Sequence, residues 1–227
     1  MMGGMIMCKG LKSKLMLMMA AFAMLFSAQS TMAVERVGDP YTLGTCAVSG
    51  KDAWAKGDPL VIIHEGREVK TCCKNCKSKF EADPAKFLPG IDAKIIAQQD
   101  KHYPLTTCVV GGGALDSKGE PVVLVVNNRL VKLCCNGCKK KVKANPAGFI
   151  AKLDEAAIAK QNDSYNLKKC PIGGEDLGDK AKNIVLGNRL VKLCCAGCKK
   201  KVNANPAKVF AMLDTGKVNV EGSGKKK

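Results

Sequence analysis

The chain has 227 residues and a formal charge of +17, with 37 Lys and Arg against 20 Asp and Glu. Aromatic residues make up only 4%, which excludes a core built on ring burial, and thirteen cysteines are too many to be incidental. So basic a balance favours anionic partners unless the lysines serve solubility alone.

Residues 1–33 have the layout of a secretory signal peptide. Lys9, Lys12 and Lys14 precede the apolar run LMLMMAAFAMLFSA, and Thr31-Met32-Ala33 offers small residues for cleavage. The run is shorter than the roughly eighteen residues of a spanning helix, so no stable membrane span is expected after cleavage. Cleavage after Ala33 removes Cys8 and three lysines, leaving twelve cysteines and a charge of +14. The expected location is periplasmic or secreted, which argues against intracellular nucleic acid as a partner. The lysines then serve to keep the chain soluble and to offset thiolate charge.

A short lead-in follows, with Gly38, Asp39 and Pro40 as turn formers. Beyond it the chain is a triplicated unit. Residues 128–147, NRLVKLCCNGCKKKVKANPA, differ from residues 188–207 at two positions, and 66–85, GREVKTCCKNCKSKFEADPA, is a looser copy. The expected modules are 41–100, 103–162 and 165–214, followed by a disordered basic tail, 215–227. Units of about sixty residues rarely hold by core burial alone and commonly need disulfides or a metal.

Within each unit the pattern predicts an α+β fold, a β-hairpin plus short helices around a cysteine cluster. In the first, 60–64 alternates, Glu65-Gly66 turns the chain, and 67–72 returns; Asn127-Asn128 and Gly187-Asn188 are the matching turns. A short helix follows each cluster, placing Phe80, Val142 and Val202 on the same face as Cys76, Cys138 and Cys198. Asp83-Pro84, Asn145-Pro146 and Asn205-Pro206 predict an N-cap and first position for second helices over 84–88, 146–160 and 206–213. A separate helical segment, 91–99, links the first unit to the second. Phe87, Phe149 and Val209 are expected in the core.

Each unit also places one cysteine upstream, at the start of a Cys-x-x-x-Gly segment: Cys46, Cys108 and Cys170, with 25, 25 and 23 residues before the cluster. The candidate metal ligands are therefore Cys46, Cys72, Cys73 and Cys76; Cys108, Cys134, Cys135 and Cys138; and Cys170, Cys194, Cys195 and Cys198. Thiolates select zinc(II), copper(I) or heavier soft ions over calcium or magnesium. Adjacent side chains leave the backbone in different directions, so one of Cys72 and Cys73 is expected to stand outside the coordination sphere. Three thiolates plus a spare suit copper(I) or a transferable zinc better than a sealed structural site. Recurring lysines, Lys70, Lys74, Lys77 and Lys79 in the first unit, Lys132 and Lys139 to Lys141 in the second, Lys192 and Lys199 to Lys201 in the third, favour the thiolate. His64 and His102 lack counterparts and are expected in turns or facing solvent.

The pattern Cys-x-x-x-Gly, hairpin, Cys-x-x-x-Cys, helix, Asn/Asp-Pro resembles the TRASH and YHS group of small metal-associated domains. The resemblance implies a compact treble-clef-like fold and heavy-metal trafficking, resistance or sensing. Carried over residue by residue, it implies Cys46, Cys72 and Cys76, then Cys108, Cys134 and Cys138, then Cys170, Cys194 and Cys198 as ligands. Cys73, Cys135 and Cys195 are additional to the family pattern, and the gap before the cluster is slightly longer.

Two rivals stand beside it. A secreted scaffold stapled by disulfides, used for interaction or adhesion, fits an oxidising compartment, but vicinal cysteines constrain its pairing. A redox protein using Cys73-x-x-Cys76 would want that motif in a βαβ setting, which a hairpin does not supply. A hydrolytic zinc site would want a recurring histidine or carboxylate ligand. The reading is thus of a non-enzymatic exported protein holding one zinc or copper(I) ion per module. Its partners are metal ions and, as a macromolecular candidate, another exported protein.

Overall fold

Paired left-handed residues close all three hairpins. Glu65 and Gly66 (φ 48° and 79°), Asn127 and Asn128 (48° and 66°), and Gly187 and Asn188 (53° and 61°) each form the two-residue turn whose twist matches antiparallel strands. The computed structural model describes residues 36–218; the expected signal segment, Cys8 and the tail from 219 onward lie outside the described residues. Strands β1 (Leu60–His64) and β2 (Arg67–Thr71) pair antiparallel, as do β3 (Val122–Val126) with β4 (Arg129–Leu133) and β5 (Lys182–Leu186) with β6 (Arg189–Leu193).

Two helices follow each hairpin: α1 (Lys74–Ala82) and α2 (Pro84–Gln99), α3 (Gly137–Ala144) and α4 (Pro146–Gln161), α5 (Cys198–Ala204) and α6 (Pro206–Thr215). The fold is α+β, three repeated units each carrying a cysteine cluster. Asp83, Asn145 and Asn205 cap the second helices, their side chains accepting from the N–H of Lys86, Gly148 and Lys208 at 3.2, 3.0 and 3.1 Å. Proline follows each cap, where its missing N–H has no intrahelical partner to lose.

The expected break at Pro89-Gly90 does not occur. α2 runs unbroken from Pro84 to Gln99, so 84–88 and 91–99 are one helix. The single hydrogen bond lost at Pro89 is offset by burial of Ile91, Ile95 and Gln99 further along. α6 also outlasts its expected end: it reaches Thr215, stops at left-handed Gly216, and Val218 packs against the third core.

Each unit has its own apolar cluster. Tyr41, Ile62, Val69, Phe80 and Ile95 form the first, Leu130, Val131, Leu133, Val142 and Leu153 the second, and Val191, Leu193, Val202, Val209 and Leu213 the third. Phe80, Val142 and Val202 are fully covered, as their spacing from the helix cysteine predicts. Val209 is buried, whereas Phe87 and Phe149 are only partly covered and pack at the edges of their clusters.

The units are docked by polar side chains. At the end of α2 the Gln99 amide donates to the Asn128 carbonyl (2.8 Å) and accepts from the Leu130 N–H (2.8 Å). Gln161, at the end of α4, repeats both bonds with Asn188 and Leu190 (2.8 and 2.9 Å). Arg67 donates to the Asn128 side chain at 2.7 Å and Arg129 to that of Asn188 at 3.2 Å, so each hairpin grips the next turn. The lead-in reaches all three turns: Val37 N–H donates to Gly66 O, Asp39 N–H to Asn127 O, and Gly187 N–H to the Asp39 carboxylate.

Candidate metal centre

The Cys-x-x-x-Gly segment folds back on its own cysteine. Gly50, Gly112 and Gly174 adopt φ of 70°, 72° and 71°, and their N–H groups donate to the carbonyls of Cys46, Cys108 and Cys170 at 3.0, 2.8 and 2.9 Å. The cysteine N–H in turn donates to the residue five further on, Lys51, Gly113 or Glu175. Only glycine takes that left-handed position at no steric cost, which explains why it recurs. The knuckle so formed buries the loop sulfur residues: Cys46, Cys108 and Cys170 are 1%, 1% and 0% exposed.

Two further cysteines meet each loop cysteine. Cys72, Cys134 and Cys194 directly follow β2, β4 and β6, while Cys76, Cys138 and Cys198 ride on α1, α3 and α5. The sulfurs of Cys46, Cys72 and Cys76, of Cys108, Cys134 and Cys138, and of Cys170, Cys194 and Cys198 lie within 4.8 Å of one another in each set. Individual separations are 3.8 Å for Cys72 to Cys76, 3.9 Å for Cys108 to Cys138, and 3.8 and 3.7 Å for Cys198 to Cys170 and Cys194. Metal–sulfur bonds of about 2.3 Å in a tetrahedral centre set neighbouring sulfurs about 3.8 Å apart, so the donor set fits a soft ion. The twelve cysteines among the described residues are free thiols. Neither histidine nor carboxylate joins the three sets among the described residues.

Cys73, Cys135 and Cys195 fall outside the mutual sets yet touch them. Cys73 Sγ lies 4.0 Å from Cys72 Sγ, Cys135 Sγ 3.7 Å from Cys138 Sγ, and Cys195 Sγ 3.6 Å from Cys198 Sγ. Cys73 and Cys135 are half-buried and Cys195 is exposed.

The sulfurs differ in acidity. Burial alone would raise the Cys46 thiol, but donors from the Ser49 side chain and the N–H groups of Ser49, Cys72 and Val48 outweigh it and bring it to about 6. Cys108 reaches about 7 by the same contest, against the N–H groups of Cys134, Gly111 and Val110, and Cys170 also falls. The N–H of the helix cysteine, three residues on, lowers Cys73, Cys135 and Cys195. The helix cysteines go the other way. Burial, then hydrogen bonding to neighbouring sulfurs, pushes Cys76 and Cys138 up to about 12, and Cys198 also rises.

The units are not identical at the site. The position after the knuckle's third residue is Ser49, Gly111 or Gly173. Ser49 Oγ lies 3.8 Å from Cys72 Sγ, whereas a Cβ on Gly173 would stand 3.1 Å from Cys194 Sγ and one on Gly111 would meet nothing within 4 Å. Sequence reasoning passed over this position; the Ser/Gly/Gly choice three residues after each upstream cysteine was the available signal.

Most lysines beside the clusters are exposed, among them Lys74, Lys79 and Lys199 to Lys201. Lys70 is not one of them. It is 2% exposed and donates to the Ala204 carbonyl at 2.6 Å, which packs the first unit against the third. His102 lies in a turn, the 3-10 segment Asp100–His102, as expected, whereas His64 departs from expectation. His64 packs edge-on against Phe80, ring centroids 5.8 Å apart, and burial, followed by the Arg189 and Lys101 charges, holds half-buried His102 at about 4.

Comparison with protein-family models, with characterised proteins and with solved structures finds no match to this chain.

Proposed function

We propose that this is an exported, non-enzymatic protein that takes one soft metal ion, zinc(II) or copper(I), on each of its three cysteine triads. Its role is heavy-metal binding, trafficking or resistance. One observation carries the reading: the same three-sulfur set, from knuckle loop, strand end and helix, is assembled three times at separations suited to metal–thiolate bonds. The resemblance of each unit to TRASH and YHS domains supports it, and these three elements are the parts a treble-clef-like site uses. Nothing in the donor set is hard, so calcium and magnesium are poor competitors.

The test is metal content of the purified protein, with a thiol titration under denaturation before and after a chelator. About three ions per chain, with the thiols becoming reactive once stripped, is the expected result and names the metal. No bound metal after reconstitution with either zinc or copper(I) overturns the proposal. No titratable thiols would move the protein to the disulfide-stapled class.

A further inference from the structure

We propose that Cys73, Cys135 and Cys195 are exchange ligands, thiols at the edge of each triad through which a soft ion passes between it and the thiol of a partner molecule. This rests on the metal-binding reading above and adds the route by which metal enters and leaves.

Position argues for it three times over. Each of these sulfurs lies 3.6 to 4.0 Å from one member of its triad, close enough to share an ion with that sulfur. None belongs to a mutual set, so none completes a closed four-sulfur cage in this geometry. Each is also more open than the loop cysteine it serves, most clearly Cys195, which is exposed while Cys170 is 0% exposed. Helix capping does not account for the cysteine: Cys73 is the N-cap of α1, yet its side chain makes no capping bond there. A serine or aspartate at that position would stabilise the helix better. The sulfur is therefore placed for chemistry at the open edge of the site.

The step leaves the ion's oxidation state unchanged. The fourth sulfur forms a metal–sulfur bond, one of the three resident bonds breaks, and the proton released by the arriving thiol goes to the departing one. A partner thiol then repeats the exchange, forming its own bond to the ion and handing its proton to a released cysteine. Three ligands give way one at a time, so the ion never passes free into water.

The experiment loads wild-type protein and the Cys73→Ser, Cys135→Ser, Cys195→Ser triple variant with copper(I). It measures stoichiometry, equilibrium affinity, and the rate of transfer to a synthetic Cys-x-x-Cys peptide. The expected variant keeps three ions and its affinity within about threefold, but transfers at least about tenfold more slowly. A loss of affinity of about a hundredfold would make these residues resident ligands and overturn the proposal. An unchanged transfer rate overturns it too. Wild-type protein that takes up neither copper(I) nor zinc(II) fails at the first step, which overturns the metal-binding reading itself and is distinguished by stoichiometry alone. Should the triple variant misfold, Cys195→Ser alone, at an exposed position, must slow about one third of the transfer amplitude; transfer kinetics identical to wild type overturn the proposal.

Discussion

The Arg129 guanidinium, with no exposure to solvent, holds both carboxylate oxygens of Asp39, Nε to Oδ2 at 2.7 Å and Nη2 to Oδ1 at 2.9 Å. The lead-in is thereby anchored in the second hairpin, ninety residues further along the chain. Asp154 ion-pairs with Nη1 at 2.8 Å, and the Asn188 side chain at 3.2 Å and the Val185 carbonyl at 3.3 Å accept from the guanidinium. Removing Asp39 leaves the buried guanidinium with only the part-exposed Asp154 as counter-ion and the Gly187 N–H without its acceptor. Asp39→Ala is expected to cost about 3 kcal/mol, read as a lower urea midpoint, while Asp39→Leu with Arg129→Met recovers part of the loss. Equal losses in the single and double variants would show that the pair itself, and not its stranded charge, sets the stability.

Gln99 tests whether the units fold as one body. Its side chain satisfies a backbone donor and a backbone acceptor of the second hairpin, and truncation leaves both without a partner. Gln99→Ala should cost about 1–3 kcal/mol and speed hydrogen exchange at the Leu130 amide, with metal stoichiometry unchanged. Protection at Leu130 equal to wild type would mean that the apolar contact between α2 and the second hairpin suffices.

Two glycines at matching positions should behave differently. Gly173→Ala drives a methyl to 3.1 Å from Cys194 Sγ, so it should weaken metal binding in the third unit alone. Gly111→Ala meets nothing within 4 Å and should leave all three sites intact. Calorimetric titration of both variants separates them. Equal binding curves would place the sulfurs differently when an ion is bound.

Metal affinity should rise with pH. Cys76 and Cys138 are held at about 12, so at neutral pH the helix thiol of each carries a proton that the ion must displace. Proton release on binding favours the bound state as pH increases, by about one logarithmic unit of affinity or more per pH unit above pH 7. Below about 6 the Cys46 thiolate also takes a proton, so the first site should lose affinity more steeply there. Chelator competition across this range gives the slope. A flat profile between pH 7 and 9 would mean that the helix cysteines are already ionised.

Much of the local structure was legible. Positive-φ turn residues marked the hairpins, Asp or Asn before Pro marked the second helices, and a four-residue interval put Phe80, Val142 and Val202 under the helix cysteine. Pro89 misled because its local penalty is a single hydrogen bond, whereas the benefit of continuing α2 comes from burying Ile91, Ile95 and Gln99 against partners elsewhere. Lys70 looked like its exposed neighbours because nothing local shows that the Ala204 carbonyl, 134 residues away, receives its amine. The recurrence of Gln-x-x-x-Tyr at Gln99 to Tyr103 and Gln161 to Tyr165 was the overlooked sign of docking. Each tyrosine hydroxyl accepts from the next hairpin, Lys132 or Lys192 N–H, at 3.0 Å.

By itself the sequence determined three hairpin–helix units and twelve thiols in register, because turns, caps and alternation act over a few residues and leave their mark in order along the chain. The residues alone left open which of two adjacent cysteines converges with the others; the resemblance implied Cys72, Cys134 and Cys194, and the tertiary structure places those three in their sets. The adjacent sulfurs can lie as close as the 4.0 Å of Cys72 and Cys73, and it is the position of the buried knuckle loop that selects Cys72, Cys134 and Cys194 over their neighbours. The same holds for the union of the units, since a glutamine amide or a buried arginine finds its partner only after the chain has returned to meet it.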